Sequence, residues 1–493
     1  MVSMLKENRS FDKQVRNLTF RGLVTCELFV RKDFSSINGS LKKISDELHS
    51  RSYSLKINQR ECEQFIQKAT NSLHSVGWHS SLFLTADRGR PGAFFSENLP
   101  DSVSLLSLSI HNVLPSIMAV VAFCKFKTRL SEQLKHILLH DYKEERIKVG
   151  NQDQEAYSII SPDQIKREKV QQGIFQVRKS VEEFISRYFH GIFLSSDCCT
   201  EVPVCPSIEL FSLREFPLEN GQTITAWVEK RNNWIFLDTL GCLPYEIHKE
   251  AGYLLMLPEW KYHGLTLKIL GSMKYFASDN YKNQGFPEAE TAFFYGHDHL
   301  LKELITWVSL IRLIDLKRRG IVTLREESRK ELSSVLKIKN LSKLTRLFSK
   351  EIMEKYVSFT EKRLWFQRFQ SELKEELGSI ANALVFSQKF VKIYSHAQNK
   401  DQQYFWFDDL SVWLKNSATS LWNEMEFLKE EFNTRLSVVR IQSNNVYSSA
   451  TKRWNVTLIM LTLVLLFLTV LTNWNILTSW GKRIWEFIEP YFS

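Results

Sequence analysis

Lys452–Asn475 reads KRWNVTLIMLTLVLLFLTVLTNWN. From Val456 to Leu471 its polar side chains are Thr457, Thr462 and Thr469, and Trp454 and Trp474 bracket the run. At ~1.5 Å of helical rise per residue, the distance between those tryptophans is about 30 Å, the thickness of a hydrocarbon core. Tryptophans at both ends match the aromatic belt of the headgroup layer. A core helix in a soluble domain is the other reading, and the length and lack of charge argue against it. The stretch predicts a transmembrane helix over 454–474.

Basic residues orient it. Arg435, Arg440, Lys452 and Arg453 precede the span with no acid among them, whereas Lys482 and Arg483 beyond it are offset by Glu486 and Glu489. The opening MVSMLKENRSFDKQ lacks the apolar core of a signal peptide. Both features place the N-terminal bulk in the cytosol and the span in an inner or cytoplasmic membrane. The lipid bilayer is thus the first expected partner, with Lys452, Arg453, Trp454, Trp474, Trp480 and Trp485 at its interfaces. In the tail, 475–493, Leu477, Trp480, Ile484, Phe487 or Ile488, and Tyr491 recur at helical spacing. That tail is too short and too charged for a second span and reads as an amphipathic interfacial helix.

Asn455, Thr462 and Thr469 are seven residues apart and form one stripe on the helix, drifting about 20° per heptad. The stripe faces either other subunits or a water-filled pore. Alternatively, threonine is tolerated because its hydroxyl bonds back to the preceding turn. Upstream, Leu421, Met425, Leu428, Phe432, Leu436 and Val439 recur every three or four residues, the stripe of a coiled coil or bundle. This predicts a stalk helix over 408–453 that continues into the membrane.

Proline and glycine divide the remainder. Ten of the eleven prolines lie at or before Pro287, and from Ser379 to Trp480 there is neither Gly nor Pro. Region 1–287, with a sub-boundary near 150–200, reads as an α+β or α/β cytosolic domain; region 288–407 reads as all helix. Expected strands are Leu18–Val30, Leu82–Leu84, Val103–Ile110 and Ile117–Phe126, with Pro115 at an edge or between the last two. Ile208–Phe211, Thr223–Val228 and Trp234–Leu237 suggest a small antiparallel sheet with a turn near Lys230–Asn233. Expected helices include Leu41–Leu48, Cys62–Leu73, Arg129–Tyr142, Gln154–Phe193, Leu300–Arg319 ending at Gly320, Leu341–Leu377 and Ser379–His396. Ala397–Gln403 reads as a turn.

A stalk helix, a basic pair and an Asn/Thr-bearing span behind an α/β domain together resemble the CorA-type magnesium channel family. ATKRWNVTLIMLTLVLLFLTVL (Ala450–Leu471) is similar to that family's approach to its first span. The resemblance implies a homo-oligomer whose stalk helices continue into a pore. The family's Gly-Met-Asn signature is replaced here by Asn473-Trp474-Asn475, and no second span follows. Divergent CorA-like proteins lacking the signature, some of them associated with prokaryotic antiviral defence, resemble the chain more loosely but with fewer departures.

Candidate chemistry is sparse. GHDHLLKE (Gly296–Glu303) offers His297 and His299 as metal ligands, without the further ligands a metallohydrolase uses. His136 and His140 are four apart on one helix. DCCTEVPVC (Asp197–Cys205) fits no zinc spacing. TADRGRPGAFF (Thr85–Phe95) places Arg88 and Arg90 where a small anionic ligand could bind. Seven cysteines at irregular spacing argue for a reducing compartment. A net charge of +10 without Lys/Arg runs makes nucleic acid the weaker partner. No Walker loop, dinucleotide fingerprint or nucleophile elbow occurs, so the sequence makes no positive case for an enzyme and leaves the cofactor unknown. The expected function is a membrane-anchored oligomer that forms or gates a pore. The alternatives are a tethered binding or scaffold protein and a metal-dependent hydrolase.

Overall fold

The computed structural model describes residues 11–30, 33–50, 82–87, 93–149, 156–194, 205–215, 227, 230–248, 252–258, 266–296, 298–335, 353–383, 390–392, 406–472 and 474–488. They divide into two compact units, one of residues 1–317 and 367–421, the other of residues 318–366 and 422–493.

The chain runs β1 (Thr19–Val30), α1 (Phe34–Ser50), β2 (Leu82–Thr85), β3 (Phe94–Phe95), β4 (Val103–Leu114), β5 (Ile117–Phe126) and α2 (Thr128–Leu139). Then come β6 (Glu145–Val149), β7 (Ala156–Ile160), α3 (Pro162–Ser186), β8 (Ser207–Leu213), α4 (Arg231–Thr239), β9 (Cys242–His248), β10 (Tyr253–Pro258) and β11 (Thr266–Ser272). Three short helices, α5 (Met273–Phe276), α6 (Asp279–Asn283) and α7 (Ala289–Tyr295), lead into α8 (Asp298–Val335) and α9 (Met353–Ala383). The short strand β12 (Phe390–Lys392) precedes α10 (Trp406–Thr472) and α11 (Trp474–Ile488).

Ten strands make one sheet in the order β12-β9-β10-β11-β8-β1-β5-β4-β2-β3. The β8–β11 and β2–β3 pairs are parallel; the other neighbours are antiparallel. Helices cover both faces, so the central strands are apolar on both sides and read as unbroken runs. On one face, Leu130, Leu134 and Leu138 of α2 and Val170, Ile174, Val177 and Val181 of α3 join the core with Leu106, Val120 and Phe211. On the other, Phe294 meets Phe123 edge-on at 5.6 Å. A bulge at Phe20/Gly22 kinks β1. There Ser131 Oγ accepts from the Phe20 N–H at 2.9 Å and donates to its carbonyl at 3.0 Å, tying α2 to the strand. Helix α3 starts where Ser161 Oγ accepts from the Gln164 N–H at 3.3 Å and Pro162 presets the first turn.

Glu27 on β1 is a buried carboxyl held by backbone. It accepts from the N–H groups of Leu28 (2.9 Å), Phe193 (2.8 Å) and Leu194 (2.9 Å), and the Cys205 thiol lies 3.7 Å away. Burial pushes its pKa up to about 8, against the downward pull of those three donors. The segment wrapping it passes close at Gly191, where a Cβ would lie 2.3 Å from the Leu28 carbonyl oxygen and 2.5 Å from Glu27 Oε1.

The mixed α/β region followed by helices is as expected, and Pro115 lies in the turn between β4 and β5. Several local expectations are corrected. Trp234–Leu237 lies in α4, and Lys230 is that helix's N-cap rather than a hairpin turn. The Trp-Ile-Phe-Leu run is apolar because Phe236 and Leu237 enter the core. Strand β8 pairs in parallel with β11, so it belongs to the large sheet rather than a small antiparallel one. Gly320 does not end its helix; α8 continues to Val335. Phe390–Lys392 is a strand pairing with β9, which interrupts both the expected helix Ser379–His396 and the expected all-helical region. Cys62–Leu73 and Ala397–Gln403 lie outside the described residues.

Candidate functional site

The second unit contains the helices that lead to the apolar span. Arg318 Nε lies 3.2 Å from Glu424 Oε1, and seven residues on, Arg325 Nε lies 3.0 Å from Glu431 Oε2. Both partners advance together, so α8 and α10 run parallel. Tyr356 and Phe359 of α9 pack on Phe432, with ring centroids 6.0 and 5.3 Å away. Arg363 Nε, farther along α9, donates to Glu426 Oε1 at 2.6 Å, back along α10. Helix α9 is therefore antiparallel to α10. Met425, Leu428 and Phe432 are buried along the seam. Arg325 and Arg363 also lie over the rings of Phe427 (4.9 Å) and Trp422 (5.0 Å). The apolar stripe expected of a coiled coil or bundle is thus, at these positions, the core of a bundle within one chain. Sequence reading missed its charges, although the spacing of seven in both Arg318/Arg325 and Glu424/Glu431 was there to find.

From this bundle α10 continues without a break through Lys452, Arg453 and Trp454 to Thr472. Its apolar part is long enough to cross a membrane, and none of it is buried. A soluble core helix would be mostly covered, whereas here Leu458–Leu468 presents its apolar side chains on all sides. Among the described residues this is the one helix long and apolar enough to be a transmembrane span, and the basic residues before it place the folded N-terminal bulk in the cytosol. Trp454 is exposed at its start. Helix α10 is described to Thr472, and α11 opens at Trp474 and carries exposed Trp480 and Trp485.

The polar stripe acquires a local account. Thr457, Thr462 and Thr469 each donate a hydroxyl to the carbonyl four residues back, Arg453, Leu458 and Leu465, at 2.8–2.9 Å. A threonine bonded this way carries no unsatisfied donor into lipid. Asn455 follows Trp454 directly, at the start of the apolar stretch.

Other candidates are not assembled into a site. Arg88, Arg90 and His297 lie outside the described residues, as do Cys198 and Cys199; of His299 only the backbone, in α8, is described. His136 and His140 stack with centroids 6.1 Å apart. Among the described residues no group of three or more His, Cys, Asp or Glu is placed to hold a metal ion. Cys26, Cys124 and Cys205 are free and buried. Burial raises all three thiols, Cys26 to about 12, which removes nucleophilic character. A cleft of about 830 Å³ between α2 and α3 has an apolar floor of Leu130, Leu134 and Val177 and a rim that includes Asp101, Lys127 and Arg129. A scan against protein-family models finds no match to this chain, and no curated protein sequence matches it.

Proposed function

We propose that this membrane-anchored protein self-associates through its stalk and span, and that the assembled spans form or gate a CorA-like pore under the control of the cytosolic region. The observation behind this reading is the continuity of α10. Residues packed in the bundle core and residues at bilayer depth belong to one helix, 67 residues long. A helix of that length carries a change of packing at Met425–Phe432 to the span without an intervening hinge. In such an assembly Asn455, Thr462 and Thr469 line the contact between copies. The resemblance of Ala450–Leu471 to the CorA-type family's approach to its first span is in keeping with the same reading, and the looser resemblance to divergent CorA-like proteins extends the proposal to a prokaryotic defence effector. Sizing in detergent should give a defined oligomer of several copies, and liposomes carrying it should conduct. A strict monomer without conductance overturns the proposal.

The second reading is a tether for a binding or scaffold protein. The back-bonded hydroxyls of Thr457, Thr462 and Thr469 favour it, because such a helix needs no polar partner in the bilayer. Replacing Val456–Leu471 by polyleucine separates the two. A tether keeps its activity; a pore loses its conductance.

A further inference from the structure

We infer that α11 is a lipid-binding element that lies in the headgroup layer of the far leaflet, its apolar arc in the acyl boundary and Lys482 and Arg483 on anionic lipid phosphates. The inference rests on α10 being the membrane span, and it adds a partner, a leaflet and a pair of contact residues.

Three observations converge. The first is placement. Only Asn473 separates the last residue of α10 from the first of α11, so α11 starts where the span leaves the hydrocarbon. The second is the division of its surface. At about 100° per residue, positions Ile476, Leu477, Trp480, Ile484, Phe487 and Ile488 share one side, with Trp474 and Trp485 at its margin. Asn475, Thr478, Ser479, Lys482, Arg483 and Glu486 share the other. The apolar half covers about 180°, the pattern of a helix lying in an interface plane.

The third is exposure. Trp480, Ile484 and Trp485 are 64%, 54% and 65% exposed, so their apolar surface is not covered within the chain. Such a face in water is costly, and a bilayer surface is what adjoins it. A second crossing is excluded by length, since fifteen residues at ~1.5 Å each reach about 22 Å, short of a hydrocarbon core. The cations choose the headgroup. Lys482 and Arg483 are both exposed, and within the helix only Glu486 opposes them. A neighbouring anionic phosphate is the complementary group.

The test uses the full chain in nanodiscs of phosphatidylcholine alone or with phosphatidylglycerol, read by hydrogen exchange over 474–488. Protection is expected in both, deeper in the anionic discs by about fivefold per cation. Lys482→Gln with Arg483→Gln should abolish the anionic increment and leave the protection in phosphatidylcholine. Trp480→Ser with Trp485→Ser should lower protection in both. Unprotected exchange over 474–488 beside a protected span overturns the inference and leaves the span reading intact. Protection equal in the two lipids overturns the anionic assignment. Exchange of 456–471 at solvent rates would instead remove the span reading on which all of this stands.

Discussion

Arg325 Nε and Glu431 Oε2 lie 3.0 Å apart, joining α8 to α10 one residue before Phe432. Glu431 also takes Arg329 at 3.1 Å, so one carboxylate serves two guanidinium groups. All three side chains retain solvent contact. Screening and side-chain entropy then keep the pair's contribution small. Phe432, by contrast, is buried against Phe359. Phe432→Ala should destabilise the bundle by about 3–5 kcal/mol, and Glu431→Gln by about 1 kcal/mol or less. Denaturant midpoints of the two variants measure the difference. Equal losses would mean that charge rather than packing holds the bundle.

Glu27 should make the first unit's stability depend on pH. Its folded pKa of about 8 stands above the ordinary 4.5. Between those values the folded state keeps a proton that the unfolded state has lost, so its contribution is full below 4.5 and declines as pH rises toward 8. Stability should therefore fall from pH 5 to pH 8, and Glu27→Gln should flatten that slope. Unfolding midpoints at both pH values, followed by near-ultraviolet circular dichroism, give the answer. An unchanged slope in the variant would mean that other groups set the dependence.

Gly191→Ala tests the wrap around that carboxyl. The new methyl would lie 2.3 Å from a backbone oxygen, where no side-chain rotation relieves it. The expected loss is about 1–3 kcal/mol, with faster exchange of the Phe193 and Leu194 amides. Gly39→Ala, at a site with open space, is the control and should be tolerated.

Thr462→Val with Thr469→Val removes two hydroxyls at nearly constant volume. Because those hydroxyls bond within the helix, membrane insertion and oligomer size should be unchanged. If the stripe lines a pore, conductance falls. If conductance is also unchanged, these threonines line no water path.

Long, strongly patterned segments were legible in the sequence: β1, the β4–β5 hairpin, α2 and the span. Each is an apolar run or helical stripe of ten residues or more. The failures are short or tertiary. Trp234–Leu237 is apolar over four residues, which fits a buried strand or a buried helix equally well. Gly320 costs an exposed helix about 1 kcal/mol relative to alanine, and a 38-residue helix outweighs that. Strand β12 has three residues and exists through its pairing with His248, Ile247 and Glu246, far away in sequence. The possible ligands Arg88, Arg90 and His297 stood on residue type alone, without the periodicity that made the membrane helix readable.

The first unit leaves off at Lys317 and resumes at Gln367. Shortening the chain to its first 317 residues would therefore remove β12 from the sheet and Leu414, Ala418 and Leu421 from burial. Strand β9 would become an open edge with free N–H and C=O groups, a template for strand-to-strand aggregation. A fragment without the span keeps this sheet whole only if its single cut falls beyond Leu421, on the bundle side of Lys452.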